Sequence, residues 1–356
     1  MSIFAGNPLE RGWDKSQYLS FILYVIFLCI SVWATGESIY RSIGLHKYFS
    51  YSLGLVALLG ASFCLGLIKR FFSGEREDNR GLLVVCGFVG FVLFWLITFT
   101  SNTHNFYYMM TIDEQRKKDY NEVIKQLELG KINPINVFDN AEERYKEKID
   151  AEIINMKREI LNNGDPGSGA KTDSIIARIE GVMGNVTINK LKPINNSKRE
   201  LIRHADIMAE QIREIEMSRI DDYRKSVKQK IIDYVGNPLY KSKLDELTQC
   251  VNNINDLDEN TLNYSLSKGY SAYSKYYGFL EQLFKNPFLK DWHDFGIKKL
   301  DDVPLSIQLK SISKSWEIFF CGIFVKSNFY LAIIWALMVE MACFIVFYFG
   351  VLKEES

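Results

Sequence analysis

The sequence predicts an all-α polytopic membrane protein, with four transmembrane helices and a large helical-bundle extramembrane domain containing one long helix. Three observations predict it. Residues 18–35, 48–68 and 82–100 carry no charge, and residues 328–352 carry one ionisable side chain, Glu340. A spanning helix needs about 20 mostly apolar residues, so each run is long enough to cross a bilayer. A highly charged segment of roughly 220 residues separates the third run from the fourth, ample for a core of its own. Within it, helical periodicity and capping signals are plentiful and strand signals scarce. The organisation expected is an N-terminal tail with transmembrane helices one to three (1–104), an α-helical extramembrane domain (105–326), and transmembrane helix four with a short C-terminal tail (327–356).

The first apolar run follows a polar tail with Arg11, Trp13 and Lys15. It is too long, and too far from a small-residue cleavage site, for a cleaved signal peptide, and reads as a retained span. Trp33, Tyr40, Tyr48, Tyr51, Phe106, Tyr107, Tyr108 and Trp316 fall near span ends, where amphipathic rings anchor in the headgroup zone. Small residues recur four apart: Ala57 and Ala61, Gly60 and Cys64, Ser62 and Gly66, Cys86 and Gly90, Ala332 and Ala336. That spacing lets helix backbones approach closely, within one bundle or between copies of the chain.

Positive charge on short loops marks the cytoplasmic side. Arg11, Lys15, Lys69, Arg70, Arg76, Arg80 and Lys353 lie on one side, against Arg41 and Lys47 on the short loop of the other. This favours cytoplasmic termini and an exported domain. The domain's own basic flanks, Arg116, Lys117, Lys118, Lys310, Lys314 and Lys326, pull the other way. The location expected is a bacterial inner (cytoplasmic) membrane, with both placements of the domain standing.

Glu340 is the sharpest single residue. It lies midway along the fourth run, where an acid costs several kcal/mol unless it is protonated, paired or facing water. No Lys or Arg lies at matching depth in another run. Two solutions follow: a neutral carboxyl hydrogen-bonded to Tyr24, Ser31, Ser62 or Thr98, or a ring of copies lining a hydrated pathway.

In the polar segment, residues 113–131 read as a helix continuing out of span three, and Asp139 or Asn140 as the cap of a second helix. Ser197 and Glu200 form a capping-box pattern. The helix they open runs to Tyr234, where Gly236-Asn237-Pro238 stops it. Its apolar residues step by three and four from Leu201 to Ile215 and resume, after an offset, at Ile220. Such a helix is a stalk or the strut of an antiparallel bundle. Shorter helices are expected at 239–253, 262–285 and 287–300. The apolar end of the segment, 316–324, either lies in the interface or extends span four.

Several chemistries lack support. Residues 164–172 resemble a phosphate-binding loop, but Ala170 separates Gly169 from Lys171, and a helical pattern precedes it. His46, His104, His204 and His293 show no metal-ligand spacing, so no metal or cofactor is expected. No nucleophile motif occurs, and no catalytic residue or enzymatic activity is expected. Lys and Arg total 43 against 43 Asp and Glu, which disfavours nucleic acid as a partner without excluding local basic runs. Five of the six cysteines lie in or beside the apolar runs, and only Cys250 belongs clearly to the polar segment. No disulfide framework follows.

One constellation suggests a ligand or partner surface: Tyr270, Tyr273 and Tyr277 on one helix face, with Lys268 and Lys275 nearby. Core packing is the plain alternative; a stacking or docking patch is the functional one. The function expected is a channel-like, homo-oligomeric membrane effector whose helical domain senses a ligand or protein partner and gates the spans. The alternative is a non-conducting sensor or scaffold subunit of a bacterial envelope or signalling complex.

Overall fold

A computed structural model describes residues 15–72, 80–162, 169–184, 186–190, 197–285, 297–321 and 326–351. Arg11, Trp13, Arg76, His293, Lys353, the 164–168 part of the glycine-rich loop, the 287–296 part of an expected helix and residues 322–324 lie outside them. The chain is 88% helix, with no strand among the described residues. Four helices are long and apolar enough to cross a membrane. Contacts divide the chain into two compact units, one of residues 1–119 and 303–356, the other of 120–302.

The first unit contains α1 (Lys15–Ile43), α2 (Lys47–Phe72), the first part of α3 (Arg80–Ile160), and, near the C-terminal end of the chain, three further helices. The loop from α1 to α2 turns at Gly44, whose φ of 72° is a left-handed conformation that favours glycine. The expected close-packing residues Ala57, Ala61, Ala332 and Ala336 are buried. A Cβ built on Gly60 would stand 2.9 Å from the Phe94 ring, so α2 and α3 meet where only hydrogen fits. Leu58, Ala61 and Phe344 form one core; Tyr107, Tyr108, Ile112, Leu309, Phe329 and Ala332 form another.

The second unit holds the rest of α3, then α4 (Ala170–Met183), α5 (Lys198–Tyr223), a π-helical turn (Arg224–Lys228), α6 (Gln229–Gly236), α7 (Pro238–Asn252) and α8 (Glu259–Leu283). Ser197 is the N-cap of α5 as the capping-box pattern expects: its Oγ accepts from the Glu200 N–H at 3.4 Å. Asn237 ends α6 and caps α7, accepting from the Leu239 N–H at 2.9 Å with Pro238 in the first turn. The long helix continues through Tyr234 as expected, and the π turn lies in it. There the Gln229 N–H bonds the Arg224 carbonyl, five residues back. The extra residue resets the helical phase, which keeps Ile220, Val227, Ile231 and Val235 all buried.

One expectation is corrected. The two helices read at 113–131 and from Asp139 or Asn140 are a single helix, α3, which passes Gly130 and Pro134 without stopping. Proline lacks the N–H that would bond the carbonyl four residues back, which here is that of Gly130. The Tyr276 hydroxyl, from α8, donates to that carbonyl at 2.5 Å. A Cβ on Gly130 would lie 2.5 Å from Tyr276 Cε1, so the glycine is what admits the ring. A tertiary donor thus replaces the missing backbone one.

Candidate functional site

Helix α11 (Lys326–Ile345), with a π turn Val346–Val351 after it, carries Glu340. Its inward face is Ala332, Ala336, Glu340 and Cys343, all at 0% exposure. Its outward face is Tyr330, Ile334, Met338, Met341 and Ile345, all exposed. The glutamate is therefore enclosed within a single chain. Its partner is Asn102 of α3, which was not among the partners expected: Asn102 Nδ2 donates to Glu340 Oε1 at 2.8 Å. The same amide donates to Ser31 Oγ at 2.7 Å, and its Oδ1 accepts from Thr35 Oγ1 at 2.9 Å, both on α1. Of the expected partners, Tyr24 bonds Ser62 instead, at 3.0 Å, whereas Thr98, which donates to the Trp95 carbonyl at 3.0 Å, also faces the Glu340 carboxyl as expected.

Asn102 was missed because it lies in Ser-Asn-Thr-His-Asn, residues 101–105, just past the end of the uncharged run at 100. All five are buried. The available signal was helical spacing: Asn102 stands one turn beyond Thr98 on a helix that simply continues.

The polar seam extends along α1 and α3. Ser38 Oγ lies 2.7 Å from His104 Nδ1. His104 Nε2 lies 2.9 Å from the Leu309 carbonyl, which can only accept, so Nε2 carries a proton. Leu309 precedes α10 (Ile312–Phe320), whose first N–H donates to Ser42 Oγ at 3.1 Å. Further along, Arg41 donates to Asn105 at 2.5 Å and stands 4.7 Å above the Tyr108 ring. Glu37 accepts from Tyr51 at 2.5 Å and pairs with Lys47 at 3.1 Å and Arg41 at 3.3 Å. The buried polar groups from Glu340 to Glu37 thus line facing sides of α1 and α3.

The tyrosine patch lies in the second unit. Tyr270 and Tyr273 are buried in a core with Tyr120, Leu247 and Leu266, and Tyr277 packs partly buried against it. Lys268 and Lys275 are exposed. The rings and the lysines are therefore not brought together on one surface; Lys268 lies over Tyr264 instead, at 5.3 Å. The buried tyrosines share a different role, donating to main-chain carbonyls. Tyr273 donates to Lys298 at 2.5 Å, Tyr240 to Leu127 at 2.6 Å and Tyr120 to Leu262 at 2.7 Å.

An open groove of about 730 Å³ runs along the π turn, lined by Glu142, Lys146, Arg224, Lys228 and their neighbours. Five of its charges pair with one another: Arg224 forks onto Glu142 at 2.7 and 2.9 Å, Lys146 adds 2.6 Å, and Lys228 pairs with Asp139 at 2.6 Å. Among the described residues no cluster of His, Cys, Asp and Glu could hold a metal ion. Cys250 is buried, with Sγ 3.4 Å from Ser265 Oγ. No family model, no curated protein and no solved structure matches this chain.

Proposed function

We propose that this chain is a multi-pass membrane protein of the sensor or scaffold kind, in which the helical 120–302 unit docks a ligand or protein and the apolar helices anchor it. The observation that carries the membrane placement is the inverted α11, greasy outside and small or polar inside. An exposed apolar face of that extent suits lipid rather than water, where contiguous apolar patches are small. Between the two functions expected, the enclosure of Glu340 favours the non-conducting one. A pathway lined by copies of Glu340 needs the carboxyl on a shared axis, whereas Asn102 holds it inside one bundle. The location that fits is a bacterial inner membrane, with the termini cytoplasmic.

The test is reconstitution of the full chain in liposomes. This reading expects no ion flux above that of empty vesicles and recovery of a stoichiometric protein or small-molecule partner on the 120–302 unit. Flux that changes several-fold in Glu340→Gln would restore the channel. A single cysteine introduced at exposed Lys275, tested with an impermeant thiol reagent in intact cells, reports the side of the unit; buried Cys250 is unsuitable as a probe.

A further inference from the structure

The Glu340 cluster also has a defined place for a proton. Asn102 uses its whole amide: both Nδ2 hydrogens are donated, to Ser31 and Glu340 Oε1, and Oδ1 accepts from Thr35. Glu340 Oε1 therefore receives a neutral donor. Glu340 Oε2 is buried and accepts no hydrogen bond of good geometry. Trp95 and Thr98 face the carboxyl from α3. The Thr98 hydroxyl spends its hydrogen on the Trp95 carbonyl, which leaves Thr98 Oγ1 with lone pairs. One oxygen that accepts and one that accepts no well-formed bond are the two ends of a carboxylic acid; a carboxylate has two equivalent acceptors.

Among the described residues, nothing around the site supplies a positive charge. α1 contributes Tyr24, Ser31 and Thr35, α2 contributes Ser62 through Tyr24, and α3 contributes Trp95, Thr98 and Asn102. α11 itself adds Cys343 one turn on. Tyrosine and cysteine are neutral in their ordinary ranges near neutral pH, and among the described residues no Lys, Arg or His pairs with Glu340.

We propose that Glu340 is a proton-binding site, holding the proton on Oε2 at neutral pH, with Asn102 as the positioning residue that fixes Oε1 as the accepting oxygen. The neutral acid is the form that ties α11 to α3 and, through Asn102, to α1. The inference rests on the reading that these helices lie in lipid, which removes the water that would otherwise solvate a carboxylate.

Infrared difference spectroscopy tests it on the full chain in lipid vesicles, wild type against Glu340→Gln. A protonated-carboxyl C=O band is expected at neutral pH. It should shift down in D2O and vanish in Glu340→Gln. In Asn102→Leu it should shift up in frequency, because Oε1 loses its donor. Carboxylate bands alone at neutral pH, or a carboxylate signal that depends on added sodium, would overturn the proposal. An acid band unmoved by Asn102→Leu would overturn the positioning role. Glu340→Asp keeps a carboxyl at the site and should keep an acid band that shifts in D2O, so a misfolded Glu340→Gln does not shelter the idea. Release of the chain from membranes by alkaline carbonate would sink the lipid reading separately, whatever the spectrum.

Discussion

Tyr276 gives its hydroxyl hydrogen to the Gly130 carbonyl, the one acceptor that Pro134 leaves without a backbone partner. Gly130, Pro134 and the distant Tyr276 thereby settle whether α3 ends near 130 or runs on to Ile160. Tyr276→Phe keeps the ring and removes the donor, leaving a buried carbonyl unsatisfied at a cost of about 1–3 kcal/mol. Pro134→Ala restores an N–H for the same carbonyl. The double variant should therefore recover most of the loss, as read by thermal unfolding of the full chain in detergent. Strict additivity of the two changes would refute the link.

Gly130→Ala tests the same junction from the other side. On propensity alone it should stabilise a helix by about 1 kcal/mol. Here the new methyl would meet Tyr276 Cε1 at 2.5 Å. A lowered melting temperature is expected, and a raised one would mean that the ring moves aside freely.

Two acids of opposite sign contribute to the pH response of the second unit. Burial alone would raise the Glu142 carboxyl, but the Arg224 fork and Lys146 outweigh it and hold it below the usual range. Its contribution is complete above the ordinary glutamate value and fades as pH falls through the depressed one. Burial, and then Asp150, raise Glu216, so stability is lost as pH climbs from the ordinary value through the raised one. Glu142→Gln should cost about 1 kcal/mol at neutral pH, given the half-exposed Arg224, and should flatten the acid limb of a melting-temperature profile. Glu216→Gln should instead remove the decline above the ordinary glutamate value. Unchanged limbs would show that these carboxyls titrate alike folded and unfolded.

His104 bridges Ser38 and the Leu309 carbonyl. His104→Leu should strand the Ser38 hydroxyl in a buried setting, while the Leu309 carbonyl keeps the Ser315 hydroxyl at 3.2 Å, and should cost about 1–3 kcal/mol. Ser38→Ala, which leaves the Nε2 bond intact, should cost less. Equal effects of the two on thermal stability in detergent would show that the Leu309 contact contributes nothing.

Much of this architecture is legible in the residues. Four apolar runs are four helices long enough to span, and Ser197, Glu200, Asn237 and Pro238 mark helix ends by chemistry that acts within one turn. What local reading misses depends on a distant partner. Asp139 and Asn140 look like a cap, and only Tyr276 shows why the helix does not stop nearby. Asn102 looks like the end of a span, since nothing within a turn of it reveals that Glu340 lies 238 residues away with an acceptor to offer. The tyrosines between 264 and 277 pattern equally well as a surface or a core; buried Tyr273 and Tyr276 differ from a surface stripe in having carbonyls within reach.

The inverted cross-section of α11 changes what substitution tables mean for this half of the chain. In a water-soluble domain, serine for an interior leucine ruins packing and leucine for an exterior serine passes unnoticed. Here leucine at Ser31 or Asn102 would be severe and leucine at Met338 or Met341 silent, whereas a charge at Met338 or Met341, harmless on a surface bathed in water, would be costly against lipid.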